Sequence, residues 1–214
     1  MHIVITGANR GIGNALHTRY RANGHHVTGT ARNDTAYERL DVTDPASQTA
    51  MAARLAGQPV DLLICNAGVY LDKHETLKTG YSADIWAQSF AANVTGVFLT
   101  VQSLLAPLKQ ARAAKIAIIS SQMASHTRAP GGSYAYRASK AAALNLGRNL
   151  AADLRGAGIA VGIYHPGWVR TEMGGDAAAI SVDEAAQGLC ARFEELSLST
   201  TGCFRTWDGH DHAY

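Results

Sequence analysis

Thr6-Gly7-Ala8-Asn9-Arg10-Gly11-Ile12-Gly13 governs how this 214-residue chain is read. The stretch follows the apolar run His2–Thr6 and opens an amphipathic segment over about 11–23. Glycines let the backbone turn sharply, and they bring peptide N–H groups and a helix N-terminus to one point, an arrangement that attracts a pyrophosphate. The spacing is Gly-x3-Gly-x-Gly, distinct from Gly-x-Gly-x-x-Gly. Taken alone, it also fits a plain strand-to-helix turn.

Outward from that turn, short apolar runs alternate with longer amphipathic stretches. The runs are His2–Thr6, His26–Ala31, Tyr37–Asp41, Val60–Cys65, Lys115–Ser120, Ile159–Tyr164 and Gly202–Trp207. They are rich in Ile, Val and Leu and largely non-alternating, as strands buried on both faces should be. Helices are expected at about 11–23, 45–57, 83–112, 133–156 and 181–197. The alternation predicts an α/β fold: a doubly wound, Rossmann-type parallel sheet of about seven strands with helices on both faces. No repeat or linker interrupts it, so residues 1–214 read as one domain. One interval is too short. Only Asn33, Asp34, Thr35 and Ala36 separate the second run from the third, whereas a parallel crossover normally takes a dozen residues. Either the connecting helix is nearly absent or the boundaries are misplaced.

Composition excludes several classes. A net charge of +2 with no Lys/Arg run argues against nucleic acid. No apolar run approaches the ~20 residues of a membrane span. Cys65, Cys190 and Cys203 are widely spaced and show neither a CxxC nor a zinc pattern, so free thiols in a reducing cytoplasm are expected. The chain opens directly on a strand, without a visible targeting segment.

Three further segments carry chemistry. Cys65-Asn66-Ala67-Gly68 turns at the end of the fourth run, where open α/β sheets bind ligands. Ser120-Ser121 ends the fifth run and offers a hydroxyl that can hydrogen-bond a carbonyl oxygen as charge develops on it. Tyr136-Arg137-Ala138-Ser139-Lys140 lies near the start of a helix, and residues four apart share a helix face. A free phenol titrates near ~10, and bringing it to about 7 takes roughly 4 kcal/mol of preferential stabilisation of the phenolate. A lysine ammonium in a partly dry cleft, aided by a nearby cationic ring, supplies that magnitude. Asn93 falls inside a predicted helix, where Asn is unfavourable, so a bond to a backbone carbonyl or water is expected of it.

Together these pieces resemble the classical short-chain dehydrogenase/reductase family over nearly the whole chain. Thr6, Gly7, Gly11 and Gly13 match its TGxxxGxG motif; Asn66-Ala67-Gly68 its NAG motif; Asn93, Ser121, Tyr136 and Lys140 its catalytic tetrad; and Pro166-Gly167-Trp168-Val169-Arg170-Thr171 its PGxxxT segment. Segments 131–137 and 165–175 and the ending around Gly202–Gly209 are similar to the C-factor and sniffer-like carbonyl reductase branch. The resemblance implies an oxidoreductase that reduces an aldehyde or ketone by hydride transfer. Ser121 would hold the carbonyl oxygen and Tyr136 would act as acid/base. Lys140 would depress the Tyr136 pKa and bind the nicotinamide ribose, and Asn93 would keep a water in the proton path. Cofactor contacts would fall on Gly7, Asn9, Arg10, Gly11, Ile12, Gly13, Arg32, Asp41, Val42, Asn66, Ala67, Gly68, Tyr136, Lys140, Pro166, Gly167, Val169 and Thr171. No metal is implied. Relatives pair through their long helices, so a homodimer or homotetramer is expected. The chain departs from the branch in its short second crossover and in the brevity of Gly174–Ser181, where many relatives carry a helical lid.

Cofactor choice turns on Ala31 and Arg32, which stand where an acidic residue would bond a ribose diol. Arg32 and Arg10 can grip a 2′-phosphate with forked hydrogen bonds, so NADP(H) is favoured over NAD(H). An NAD-dependent alcohol or sugar dehydrogenase and a cofactor-binding signalling protein with little turnover are the alternatives. The intact tetrad argues against the latter. His25-His26 and His210/His212 are read as surface or structural, Trp86, Trp168 and Trp207 as core or pocket wall, and Asp72, Glu75 and Asp84 as a polar loop without a carboxylate pair.

Overall fold

A computed structural model describes residues 1–127 and 129–214. Seven parallel strands form one sheet in the order β3-β2-β1-β4-β5-β6-β7. They are β1 (His2–Ile5), β2 (His26–Ala31), β3 (Glu38–Arg39), β4 (Leu62–Cys65), β5 (Lys115–Ile119), β6 (Ala160–His165) and β7 (Phe204–Thr206). The helices are α1 (Gly11–Ala22), α2 (Pro45–Arg54), α3 (Ala83–Phe90), α4 (Gly96–Ser103), α5 (Leu105–Gln110), α6 (Tyr134–Leu154) and α7 (Val182–Glu195).

The apolar runs are continuous because both faces of the central strands are covered. Val4, Leu63, Cys65, Ile116, Ile118 and Val161 share one core with Met51, Val97, Val101, Leu108 and Leu154 from the helices of that face. Their sequence neighbours Ile3, Ile5, Leu62, Ile64, Ala117, Ile119 and Tyr164 face the opposite side. There they share a second core with Leu16, Tyr20, Leu189 and Phe193 of α1 and α7. The order of strands reverses between β1 and β4, and the turns leaving their carboxyl ends are the ligand-binding edge of such a sheet.

The short crossover is real, and no helix joins β2 to β3. The third strand shrinks to two residues, and Thr30 and Ala31 at the end of β2 register with Glu38 and Arg39. The chain therefore backtracks only a short way along the sheet, which six loop residues can span. Tyr37 does part of the missing helix's work. Its ring meets His17 of α1 edge-on at 5.3 Å, and its hydroxyl accepts a hydrogen bond from Asn14 Nδ2 at 2.9 Å. Gly29 permits this closeness, since a Cβ there would lie 2.8 Å from both Ala8 Cβ and His17 Cδ2 and 2.9 Å from Tyr37 Cδ1.

The helix expected over 83–112 is not continuous. It contains a π-helical stretch, Ala91–Thr95, and breaks at Leu104 before resuming as α5. Pro107 sits in the first turn of α5, where its missing N–H costs nothing, but one continuous helix would have placed it in the interior. Trp86 and Trp168 are exposed rather than core residues, and only Trp207 packs against a core cluster.

Removing the Tyr37 ring tests its structural role. Tyr37→Ala should cost about 1–3 kcal/mol of stability, from one net hydrogen bond and one aromatic contact plus partial burial. Tyr37→Phe should cost about 1 kcal/mol in the same denaturant titration; equal losses would mean that the ring contributes nothing beyond its hydroxyl.

Candidate active site

The two ligand-facing turns are locked together by side chains. Thr6 Oγ1 accepts hydrogen bonds from the backbone N–H groups of Asn66 and Ala67, each at 3.0 Å. Asn66 Nδ2 returns bonds to the carbonyls of Thr6 (3.0 Å) and Gly7 (3.1 Å). Glycine is required where the turns meet. Gly7 has φ +65°, and a Cβ there would lie 3.1 Å from Ala67 Cα. A Cβ on Gly13 would collide with the Gly7 carbonyl and come within 2.5 Å of Asn66 Nδ2. Asn9 and Arg10 are exposed at the mouth of this turn, and Ile12 packs back on the core. Arg10 is the N-cap of α1 and makes no side-chain cap bond, so its side chain leaves the first-turn N–H groups uncovered.

The segment after β6 folds over the same edge. Gly167, at φ +92°, lets the chain pass beneath Ile180 and Trp207. Val169 bridges to Ile180, and Thr171 reaches within 3.4 Å of the position of a Cβ on Gly11. Pro166 opens this segment, half-buried. No helix forms between Arg170 and Ser181, in keeping with a short lid. Arg10 forms an ion pair with Glu172 at 2.5 Å, both side chains largely exposed. Arg32 is exposed at the end of β2. Asp41 accepts from Thr43 N at 2.9 Å and Thr43 Oγ1 at 2.7 Å. Val42 lies against Gly96 of α4.

Asn93, Ser121, Tyr136 and Lys140 are all buried; they come from the π-helical stretch, the end of β5 and, for the last two, the first turns of α6, which meet at this edge. Asn93 lies in the π-helical stretch, where the extra residue turns its amide inward. Its Oδ1 accepts from Val69 N at 2.8 Å, and its Nδ2 donates to Val69 O and Ser139 Oγ, both at 2.9 Å. The expected backbone partner is therefore Val69. Lys140 Nζ donates to Ile119 O at 3.0 Å and lies 5.7 Å from the centroid of the Tyr136 ring. Gly68 makes room for both, since a Cβ there would come 2.9 Å from Asn93 Oδ1 and 3.4 Å from Lys140 Nζ.

The electrostatics depart from the simple picture of a lysine-lowered phenol. Burial pushes the Tyr136 phenol up to about 12; a hydrogen bond with Ser121 opposes the rise, and Tyr70 and Asp72 add to it. Burial alone brings the Lys140 ammonium down to about 8. The protein's own groups thus keep Tyr136 protonated.

Two residues that sequence reasoning passed over complete the site. Tyr70 stacks on Tyr136 with ring centroids 4.2 Å apart, and its hydroxyl shares a 2.5 Å hydrogen bond with Ser133. Ser133, the N-cap residue of α6, is left-handed (φ 49°) and caps nothing. Asp72, fully buried, caps that helix instead. Its carboxylate accepts from Ala135 N at 2.8 Å and Tyr136 N at 3.3 Å. The first turn of α6, and with it Tyr136, is held by an anion from a loop 63 residues away in sequence. The loop's acidic character was visible; its return to α6 was not.

A family model described as short chain dehydrogenase matches residues 1–180. The chain belongs to the short-chain dehydrogenase family. It is an oxidoreductase of that family, and its seven-stranded parallel sheet is the family's Rossmann-type fold. It is 34% identical to the C-signal of Myxococcus xanthus over 161 residues, which is 75% of this chain and 96% of that protein. The NADPH-bound carbonyl reductase from chicken fatty liver superposes with a TM-score of 0.91 at 30% identity, covering 100% of this chain and 98% of that one. The carbonyl reductase Sniffer of D. melanogaster shares the fold at a TM-score of 0.91 and 24% identity, with 100% and 99% coverage. No metal-binding cluster occurs among the described residues, and no helix there is long and apolar enough to cross a membrane.

The Asp72 cap is testable through stability and pH together. Asp72→Ala should lower stability by about 1–2 kcal/mol, the usual size of a lost N-cap. Asp72→Asn keeps one acceptor and removes the charge, so the phenol's pKa should fall. The alkaline limb of kcat/KM for carbonyl reduction should then move to lower pH. An unmoved limb with a normal thermal midpoint would confine Asp72 to a structural part.

Proposed function

We propose that this enzyme reduces an aldehyde or ketone with NADP(H), with Tyr136 supplying the proton. The observation that carries the reading is the Ser121–Tyr136 hydroxyl pair above buried Lys140, next to a glycine turn too tight for any side chain at Gly13. That turn fits a dinucleotide. Backbone N–H groups at the start of α1 suit a pyrophosphate, and Arg10 and Arg32 offer guanidiniums at the adenosine end, where Arg32 and not a carboxylate directly follows β2. When bound, the nicotinamide supplies hydride chemistry. The chain's own residues do the rest. Ser121 and Tyr136 hold the carbonyl oxygen, and the phenol releases its proton as that oxygen gains charge. Lys140 holds the nicotinamide ribose and offers positive charge beneath the phenol. Asn93, fixed between Val69 and Ser139, keeps the turn after β4 in register with α6 and orders water toward Lys140.

A phenol held protonated is the form that reduction consumes, and the likeness to an NADPH-bound carbonyl reductase supports the same direction. Arg10 must exchange Glu172 for a 2′-phosphate if it reads one, whereas Arg32 forms no ion pair among the described residues. Assembly through α3–α4 and α6 into a homodimer or homotetramer belongs to the same proposal.

Tyr136→Phe keeps the ring against Tyr70 and removes the proton. It should lower kcat by 10²–10⁴-fold with little change in NADPH affinity measured by fluorescence. More than about a tenth of wild-type turnover would exclude the phenol as the acid. Arg32→Ala should weaken NADPH far more than NADH, and equal weakening of the two would exclude a 2′-phosphate reader there.

A further inference from the structure

A cavity of about 410 Å³ is lined by Gln122, Met123, Ala129, Pro130 and Arg137, two of which are the sequence neighbours of Ser121 and Tyr136. Its volume is that of a small-molecule site. Its lining ties it to the chemistry. Gln122 is the next residue after Ser121, and Arg137 is the next after Tyr136, so the two walls are continuations of the strand end and the helix that present the hydroxyls. Met123, Ala129 and Pro130 make most of the surface apolar, and Arg137 brings a full positive charge to it.

That arginine combines a shielded, unbonded Nε with the absence of an ion pair among the described residues, a combination Arg19 and Arg192, whose Nε atoms are also unbonded, do not share. Its side chain is half-buried, and its Nε is shielded from solvent without a hydrogen-bond acceptor. None of the ion pairs among the described residues includes it, although Arg10, Arg19, Arg54, Arg192 and Arg205 each have a carboxylate. Guanidiniums removed from water without an acceptor are costly, so such groups are normally paired. The nearest buried carboxylate, Asp72, is committed to the backbone of Ala135 and Tyr136. Arg137 lines the cavity with no carboxylate paired to it among the described residues.

We infer that the cavity seats the carbonyl substrate and that Arg137 receives an anionic group, a carboxylate or phosphate, carried by that substrate on an apolar body. The inference rests on the reading of Ser121 and Tyr136 as the carbonyl-reducing pair and adds the substrate class to it. A planar guanidinium can meet either anion with two parallel hydrogen bonds. One end of the molecule is then fixed at Arg137, and its carbonyl is presented to hydroxyls one residue away on each wall. Anchoring a remote charge in this way lowers the entropy cost of reaching the reactive pose.

The test compares 4-carboxybenzaldehyde with its methyl ester, which share a reacting carbonyl and differ in charge. With NADPH, the wild-type enzyme should favour the acid by at least tenfold in kcat/KM. Arg137→Gln should abolish that ratio, chiefly through KM for the acid, and Arg137→Lys should restore part of it. A ratio near one in the wild type, or one unchanged in Arg137→Gln, would overturn the inference while leaving the reductase reading intact. Turnover of neither compound would instead count against the reductase reading. In that event, calorimetric titration with benzene-1,4-dicarboxylate decides the binding site independently. Binding weakened at least tenfold in Arg137→Gln, with an unchanged circular dichroism spectrum, supports it, and equal binding overturns it.

Discussion

The bonds between Thr6 and Asn66 are the constraint on which the site depends. Carboxyl ends of parallel strands are irregular, and turns that leave them can diverge freely. Here one threonine hydroxyl receives two peptide N–H groups of the neighbouring turn, and one asparagine amide bonds two carbonyls in return. All four bonds lie where solvent competition is limited, so their loss would leave several polar groups unsatisfied at once. Gly7 and Gly13 then follow as steric consequences, since no side chain fits between turns held so close. Gly68, two residues past Asn66, inherits its position from the same lock and leaves room for Asn93 and Lys140. The glycine turn and the edge that carries Tyr136 and Lys140 are in this way one rigid construction.

Against that rigid base, the charges of the site are set in tension. Lys140 and Tyr136 are both buried, and burial drives the two in opposite directions, the ammonium toward about 8 and the phenol, with Tyr70 and Asp72 adding to the rise and Ser121 opposing it, toward about 12. A shift of that size on the lysine corresponds to about 3 kcal/mol of disfavoured charge. Proteins keep such groups where function needs them and compensate elsewhere. The compensation here is visible in the neat satisfaction of the surrounding polar atoms. Ile119 O accepts a hydrogen bond from Lys140 Nζ, Ser139 bridges Asn93 and the Tyr136 carbonyl, and Ser120 donates to the Lys140 carbonyl. From the sequence, Lys140 aided by a nearby cationic ring is expected to lower the phenol; among the chain's own groups, the desolvation of Lys140 weakens the ammonium as a partner.

Much of this was legible in the sequence because it is local. Continuous Ile/Val/Leu runs identify strands covered on both faces, and the spacing of glycines identifies the turn. Tyr136 and Lys140 share a face because helix geometry puts them there. What escaped is non-local. Asp72 reads as one more acid in a polar loop, and only the path of that loop back to α6 turns it into a cap. Glu172 reads as a surface charge until the segment after β6 folds over Arg10, 162 residues away. The break at Leu104 was signalled by Pro107, which a purely periodic reading over 83–112 passes by. The brief second crossover was correctly seen as anomalous, yet its resolution needed the register of Thr30 with Glu38, which no local pattern encodes.

The short crossover and the Arg10–Glu172 pair bear on one another. Without a helix after β2, the adenosine end of the cleft is walled by a loop, and Arg32 stands in solvent at the end of the strand. An exposed guanidinium gains little from a single phosphate contact, because water and salt screen it. Arg10 starts from a different position, since it already holds a carboxylate across the cleft mouth. Replacing that carboxylate with a more highly charged phosphate is an exchange of partners, and its net gain is the difference between two ion pairs rather than the value of one. On the proposed NADP(H) reading, a contact with Arg32 is thus modest but gives up no ion pair among the described residues, whereas one with Arg10 is reduced by the loss of Glu172. Arg10 acts mainly on the segment after β6, which it holds through Glu172 until an anion competes for it.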